Sequence, residues 1–156
     1  SKNLHITEII DKVKMYYSVP INDRKIKVAL EKKGPPLVVK CSEGILLQVF
    51  INLFDNSVYW LTTSDEREKE IKIVLDGNKS EVIFADNGPG VKKDDVEFIF
   101  KPFFSTKGIK GRGLGLYITR QLLERYDYEI SYIQRQNKRL LKGANFAVSF
   151  PEEEIE

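Results

Sequence analysis

Apolar residues recur along the chain at changing intervals, and each interval names an element. Ile9, Ile10, Val13 and Tyr17 repeat at helical spacing after Thr7, a residue able to cap a helix, and Pro20 is expected to stop it. Ile26, Val28 and Leu30 alternate as in a half-buried strand. Gly34-Pro35-Pro36 interrupts them and Leu37-Val38-Val39 resumes the pattern, so a hairpin-like unit is expected there. From Ser42 the period turns helical, with Leu46, Leu47, Val49, Phe50, Leu53, Phe54 and Val58 on a wide stripe.

The charge run 65–70 reads as a solvated connection. Beyond it, Ile71-Lys72-Ile73-Val74-Leu75 and Val82-Ile83-Phe84-Ala85 flank Asp76-Gly77-Asn78, a hairpin signature. A short helix is expected over 94–100, followed by the aromatic patch Phe100-Lys101-Pro102-Phe103-Phe104 and a polar stretch over 105–110. Leu116, Ile118, Leu122 and Leu123 place a helix after Gly113. Two closing strands, near 129–134 and 144–150, are joined by a basic turn. The elements add up to a two-layer α/β sandwich, a mixed, mostly antiparallel sheet with helices on one face. Residues 1–21 read as an N-terminal helix and linker, and 22–156 as the domain proper.

Composition narrows the function classes. The 156 residues are 42% hydrophobic and 31% charged, enough for one domain with a core of its own. A net charge of +2, spread evenly, argues against attraction to nucleic acid or to a membrane surface. Cys41 is the single cysteine, which excludes an internal disulfide, fits a reducing compartment, and reads as a core filler. No apolar run approaches the roughly 20 residues that cross a bilayer, and no signal peptide is present, so a cytoplasmic setting is expected. The chain opens at Ser1 without a methionine, which suggests a fragment of something longer.

Three polar segments interrupt this scaffold. In Asn52-Leu53-Phe54-Asp55-Asn56 two amides lie four residues apart, on one face of a helix, with Gln48 one turn earlier. They are either a polar helix face or part of a pocket. On an otherwise apolar helix such a stripe needs partners, or each unmet group costs a few kcal/mol. The amide oxygen of Asn56 is a neutral hard ligand suited to a magnesium ion already partly matched by phosphates.

In Asp86-Asn87-Gly88-Pro89-Gly90 a carboxylate stands where a buried strand gives way to a glycine turn. It either starts an Asx turn or accepts the exocyclic amine of a base, which adenine has and the carbonyl edge of guanine lacks. Gly88 and Gly90 would let backbone approach the base.

Gly111-Arg112-Gly113-Leu114-Gly115-Leu116 runs from a glycine loop into a helix, an arrangement that holds phosphates on backbone N–H groups. A dinucleotide fingerprint would need a strand just before it, and Ser105-Thr106-Lys107-Gly108-Ile109-Lys110 is loop chemistry instead. No Gly-Lys-Ser/Thr of the P-loop kind occurs. Lys107, Lys110 and Arg112 can neutralise a triphosphate or stay solvated. His5, the only histidine, reads as an exposed terminal residue, and Tyr59 and Trp60 as helix packing. In this order the three segments describe a pocket for a purine nucleotide and its metal.

The same residues resemble the catalytic ATP-binding domain of sensor histidine kinases, a branch of the Bergerat-fold ATPases shared with DNA gyrase, MutL and the large heat-shock chaperone. The stretch from Gln48 to Ser57 resembles its N box, 86–90 its G1 box, 100–104 its F box and 111–116 its G2 box. Gly143-Ala144-Asn145-Phe146 is similar to the family's last glycine motif. The similarity covers about residues 22–151.

The resemblance implies ATP and Mg2+ as ligands, with Asn56 on the metal and Asn52 supporting phosphates and metal. It implies Asp86 on the adenine amine, with Gly88 and Gly90 shaping the base pocket. Lys107, Arg112, Gly113, Leu114, Gly115 and Leu116 would form the phosphate-binding lid. Hydrolytic relatives begin the N box with a glutamate base. Asn52 stands there and cannot take a proton from water, which favours phosphoryl transfer to a protein. The implied partners are a dimerisation domain carrying the phospho-accepting histidine and a response-regulator receiver domain. That dimerisation domain is expected to lie outside this sequence, since the segment before residue 20 reads as too short to supply it. A serine/threonine kinase of the same fold and an ATP-sensing module without transfer are the alternatives.

The chain departs from the family in two places. Tyr59 replaces a lysine or arginine common near the phosphates, and Asp127-Tyr128 replaces the usual Gly-Gly before the penultimate strand.

Overall fold

The most apolar strands take the centre of the sheet. In the computed structural model, which describes residues 1–104 and 114–152, Lys69–Asp76 (β4) and Glu81–Asp86 (β5) bury most of their side chains and pair antiparallel. Asn145–Ser149 (β7) lies antiparallel on β5, and Glu129–Tyr132 (β6) closes that edge. Ile26–Lys33 (β2) closes the other edge and runs parallel to β4, giving the order β2-β4-β5-β7-β6. One parallel pair in an otherwise antiparallel sheet is the mixed sheet expected. The 76–78 hairpin is present as well: Asp76 Oδ1 accepts from the backbone N–H of Asn78 (2.9 Å) and of Lys79 (3.1 Å).

The expected hairpin across Gly34-Pro35-Pro36 does not form. β2 pairs with β4, while Val38–Cys41 (β3) pairs antiparallel with Lys2–His5 (β1) in a separate two-stranded sheet. Alternation marks a strand but not its partner. Here the two prolines, which lack N–H groups, follow Gly34 in the left-handed region (φ 70°) and take the chain out of the ladder.

Ile6–Tyr16 (α1) is followed by the short Ser18–Asp23 (α2). Two expectations are corrected here. His5, not Thr7, stands at the N-cap of α1, without a side-chain cap. The break falls at Tyr17, and Pro20 sits in the first turn of α2, where its missing N–H costs nothing. The helix expected over 94–100 is a 3-10 segment, Lys93–Phe98.

Glu43–Thr63 (α3) spans 21 residues, roughly 31 Å of helix. Its buried side Leu46, Val49, Phe50, Leu53, Phe54, Val58 and Leu61 faces the core, where the Phe54 ring meets Phe84 edge-on at 4.9 Å. α1 packs on it through Ile6, Ile9, Ile10 and Val13, and Gly115–Glu124 (α4) packs on its other flank. Residues 1–21 therefore share one core with the rest of the domain. Cys41 is fully buried within that core.

The turn before β6 solves the absence of Gly-Gly in its own way. Asp127 takes the left-handed conformation (φ 59°), and Tyr128 N–H closes on the Leu123 carbonyl at 3.0 Å. Tyr128 then donates its hydroxyl to the Lys40 carbonyl at 2.7 Å, tying the turn to β3.

Candidate functional site

Asp86 ends β5 at the middle of the sheet, 1% exposed. A carboxylate that deep needs donors, since unpaired it would cost several kcal/mol. It has three. Ser57 Oγ donates to Oδ2 at 2.7 Å, and the backbone N–H groups of Gly88 (2.9 Å) and Ala144 (3.3 Å) donate to Oδ1. Burial still holds the carboxyl above the ordinary aspartate range, against the downward pull of those donors. The Asx-turn reading of this residue is thus realised through Gly88, and the carboxylate keeps accepting capacity on Oδ2 beyond the Ser57 bond.

The floor beneath Asp86 is backbone. Asp86 N–H donates to the Ala144 carbonyl (2.9 Å) and Gly143 N–H to the Asp86 carbonyl (3.0 Å). A Cβ on Gly143 would lie 2.5 Å from that carbonyl oxygen and 2.6 Å from Oδ1, so no other residue fits there without displacing the carboxylate. Gly90 takes a left-handed φ of 74° and packs on Gly143, whereas Gly88 lies against Asp86 and Trp60. Asn145, fully buried, accepts from the N–H of Leu140 (2.8 Å) and Leu141 (3.3 Å) and so fixes the loop that delivers Gly143. Asn87 braces the opposite rim, donating to the Glu68 carbonyl (2.6 Å) and accepting from Glu70 N–H (2.7 Å).

On α3 the amides do form one stripe. Gln48 Nε2 donates to Asn52 Oδ1 at 2.8 Å, and Asn52 Nδ2 reaches α4, at Gly115 O (3.1 Å) and Thr119 Oγ1 (3.0 Å). Asn56 is half-buried, and its amide makes no hydrogen bond among the described residues. Leu114 and Leu116 are half-buried at the start of α4, with Gly115 exposed between them. The predicted lid residues Lys107, Arg112 and Gly113, together with Lys110 and Gly111, lie outside the described residues.

His5 is exposed, and Tyr59 and Trp60 are half-buried with their rings edge-on at 5.1 Å. Among the described residues no group of three or more His, Cys, Asp or Glu gathers to hold a metal. An unpartnered amide such as that of Asn56 fits an ion whose other ligands are phosphate oxygens and water.

Two residues of the site escaped sequence reasoning. Ser57 sits in a helical stripe of apolar residues, and only its neighbour Asn56 signalled function. Thr119 is fully buried on α4, and its link to Asn52 spans 67 residues.

The chain belongs to the histidine kinase-, DNA gyrase B- and HSP90-like ATPase family, whose model matches residues 41–154. Sensor proteins and sensor kinases are among the relatives it matches. It is 28% identical over 152 residues to the sensor protein TdiS of Thauera aromatica, covering 94% of this chain and 27% of that protein. It is 34% identical over 116 residues to the sensor protein kinase PilS of Pseudomonas aeruginosa, covering 67% and 19% respectively. The chain thus spans about a quarter or less of the length of these relatives. Its fold matches the nucleotide-free catalytic domain of the histidine kinase ThkA with a TM-score of 0.77 and 27% identity, over 96% of this chain and 94% of that one. It is an ATP-binding catalytic domain of the histidine kinase type.

Proposed function

We propose that this domain, within a longer two-component sensor kinase, positions Mg-ATP for transfer of the γ-phosphoryl group to a histidine on a separate helical dimerisation domain. The observation that carries this reading is the buried Asp86 carboxylate, held at the end of β5 by Ser57, Gly88 and Ala144 with Gly143 pressed against it. An acceptor-only group in that position selects an exocyclic amine, hence adenine over guanine. Gly88 and Gly90 shape the pocket wall, and Asn56 offers its amide oxygen to the magnesium ion. That ion, when bound with the triphosphate, supplies charge neutralisation at the transferring group.

Leu114, Gly115 and Leu116 bring the open N–H groups of the α4 start toward the phosphates, with Lys107, Arg112 and Gly113 as the remaining lid residues. Asn52 offers no base for water, which supports transfer over hydrolysis. Catalysis is then positioning and electrostatics, with the nucleophile brought by the other domain. Residues 1–21 lead toward that domain, and the phosphoryl group passes onward to a response-regulator receiver domain. The domain works in the cytoplasm. Among the described residues no helix is long and apolar enough to cross a membrane.

Calorimetric titration with ADP and GDP, with and without magnesium, on wild type and Asp86→Asn tests the reading. The expected result is magnesium-assisted binding of ADP alone, lost in the variant. A folded domain that binds neither nucleotide overturns it.

A further inference from the structure

Helix α4 begins at Gly115 without a side-chain cap on its first N–H groups, and its first turn is tied to its surroundings through the Gly115 carbonyl instead. The hydrogen bonds around Thr119 do this. Thr119 Oγ1 donates to the Gly115 carbonyl at 2.8 Å, one turn back on its own helix. Its single proton is thereby spent, so toward α3 the hydroxyl presents only lone pairs. Asn52 answers with its amino end, donating from Nδ2 to Thr119 Oγ1 (3.0 Å) and to Gly115 O (3.1 Å). Its carbonyl end is turned the other way and accepts from Gln48 Nε2 at 2.8 Å.

Were Asn52 flipped, its oxygen would face two acceptors and its amino group would face a donor. Thr119 is 0% exposed, so no water can take over its role without opening the α3–α4 contact.

We infer that Thr119 is a positioning residue for the nucleotide reaction, fixing the amide orientation of Asn52 and, through the Gly115 carbonyl, the first turn of α4. This rests on the ATP-binding reading above and adds a division of labour to it. The N–H groups of Asn52 are committed to holding the phosphate-facing helix, and its carbonyl oxygen alone is turned elsewhere. The hydroxyl of Thr119 has no part in recognising the base, since Asp86 and its donors lie on β5 and the turn after it, on α3 and on the 143–144 loop.

Thr119→Val keeps the shape and removes the hydroxyl, whereas Thr119→Ser keeps the hydroxyl. AMP and the non-hydrolysable triphosphate AMP-PNP, both with magnesium, are titrated into wild type and each variant, with thermal melts alongside. For T119V the expected result is AMP affinity as in wild type and a loss of about tenfold in the extra affinity conferred by the outer phosphates, the worth of one or two buried hydrogen bonds. T119S should restore that ratio.

An unchanged ratio in T119V, or an equal loss for both nucleotides, overturns the inference and leaves Thr119 as core packing alone. A wild-type domain that binds neither nucleotide overturns the functional reading as well, which sets the two failures apart. The side-chain NH2 resonances of Asn52 in wild type provide a check that needs no variant to fold. They should be protected from solvent exchange, and rapid exchange would contradict the geometry.

Discussion

Ser57 and Asp86, 29 positions apart, are joined by a buried hydrogen bond of 2.7 Å from the serine hydroxyl to Oδ2. The bond runs from the C-terminal half of α3 to the end of β5, and it is the one side-chain donor on Asp86 among the described residues, its other partners being backbone N–H groups. It orients the carboxylate and favours its ionised form.

Replacing Ser57 with alanine should therefore weaken ADP binding by about tenfold, the worth of one hydrogen bond to a charged group. The acid-side fall in affinity should also move to higher pH, because one of the groups lowering the Asp86 pKa is gone. Titration calorimetry across pH on wild type and S57A reads both. An unshifted profile would separate Ser57 from the carboxylate it touches.

The wild-type protein should show opposite pH trends for binding and for stability. Burial raises the Asp86 pKa, so protonation occurs in the folded domain at a pH where a free aspartate is still ionised. A group raised on folding contributes stability that is fully present below its unfolded pKa and lost as pH rises through its folded one. Acidification through that window should thus favour the ligand-free fold through this group while releasing adenine nucleotide. Denaturant melts and ADP titrations of the wild type at matched pH check the signs, with Asp86→Asn as the non-titrating control for the melts.

Gly143→Ala sets a methyl group 2.5 Å from the Asp86 carbonyl oxygen and 2.7 Å from Gly88 N, both backbone atoms with little room to yield. The expected cost is about 1–3 kcal/mol of stability, typical of overpacking, with ADP binding reduced beyond detection. Thermal melts and calorimetry of the variant decide it. Wild-type affinity would mean the pocket floor can move.

At Asp127 the sign reverses. The residue is exposed and holds a φ of 59°, a conformation glycine adopts freely and most side chains resist. Asp127→Gly should stabilise the domain by about 0.5–1 kcal/mol, net of the larger chain entropy of glycine. A domain of this size should then melt roughly 1–4 °C higher.

Much of this was legible in the sequence, and what was not has a common cause. The β4–β5 hairpin is written in Asp76-Gly77-Asn78, and Asp86 announces itself by following an apolar strand. The long stripe from Leu46 to Val58 gives α3 and the shared face of Asn52 and Asn56. The partner of β2 was not legible, because alternation at Ile26, Val28 and Leu30 is the same whichever strand lies alongside. β1 was missed because Lys2–His5 carries one inward residue, Leu4, and therefore no period to read. Ser57 and Thr119 look like any small polar residue until a carboxylate or an amide from a distant element is brought against them.

The setting of Asp86 is gathered from three parts of the chain: Ser57 well before it, Gly88 beside it, and Gly143 with Ala144 far after it. The last pair arrives on the loop that enters β7, which in turn docks between β5 and β6. Local elements such as the β4–β5 hairpin can form early, but closures over long sequence separations come late. On a ribosome the pocket stays incomplete until nearly the whole domain has emerged. Capture of nucleotide would then act as a seal on finished folding, available to no shorter nascent chain.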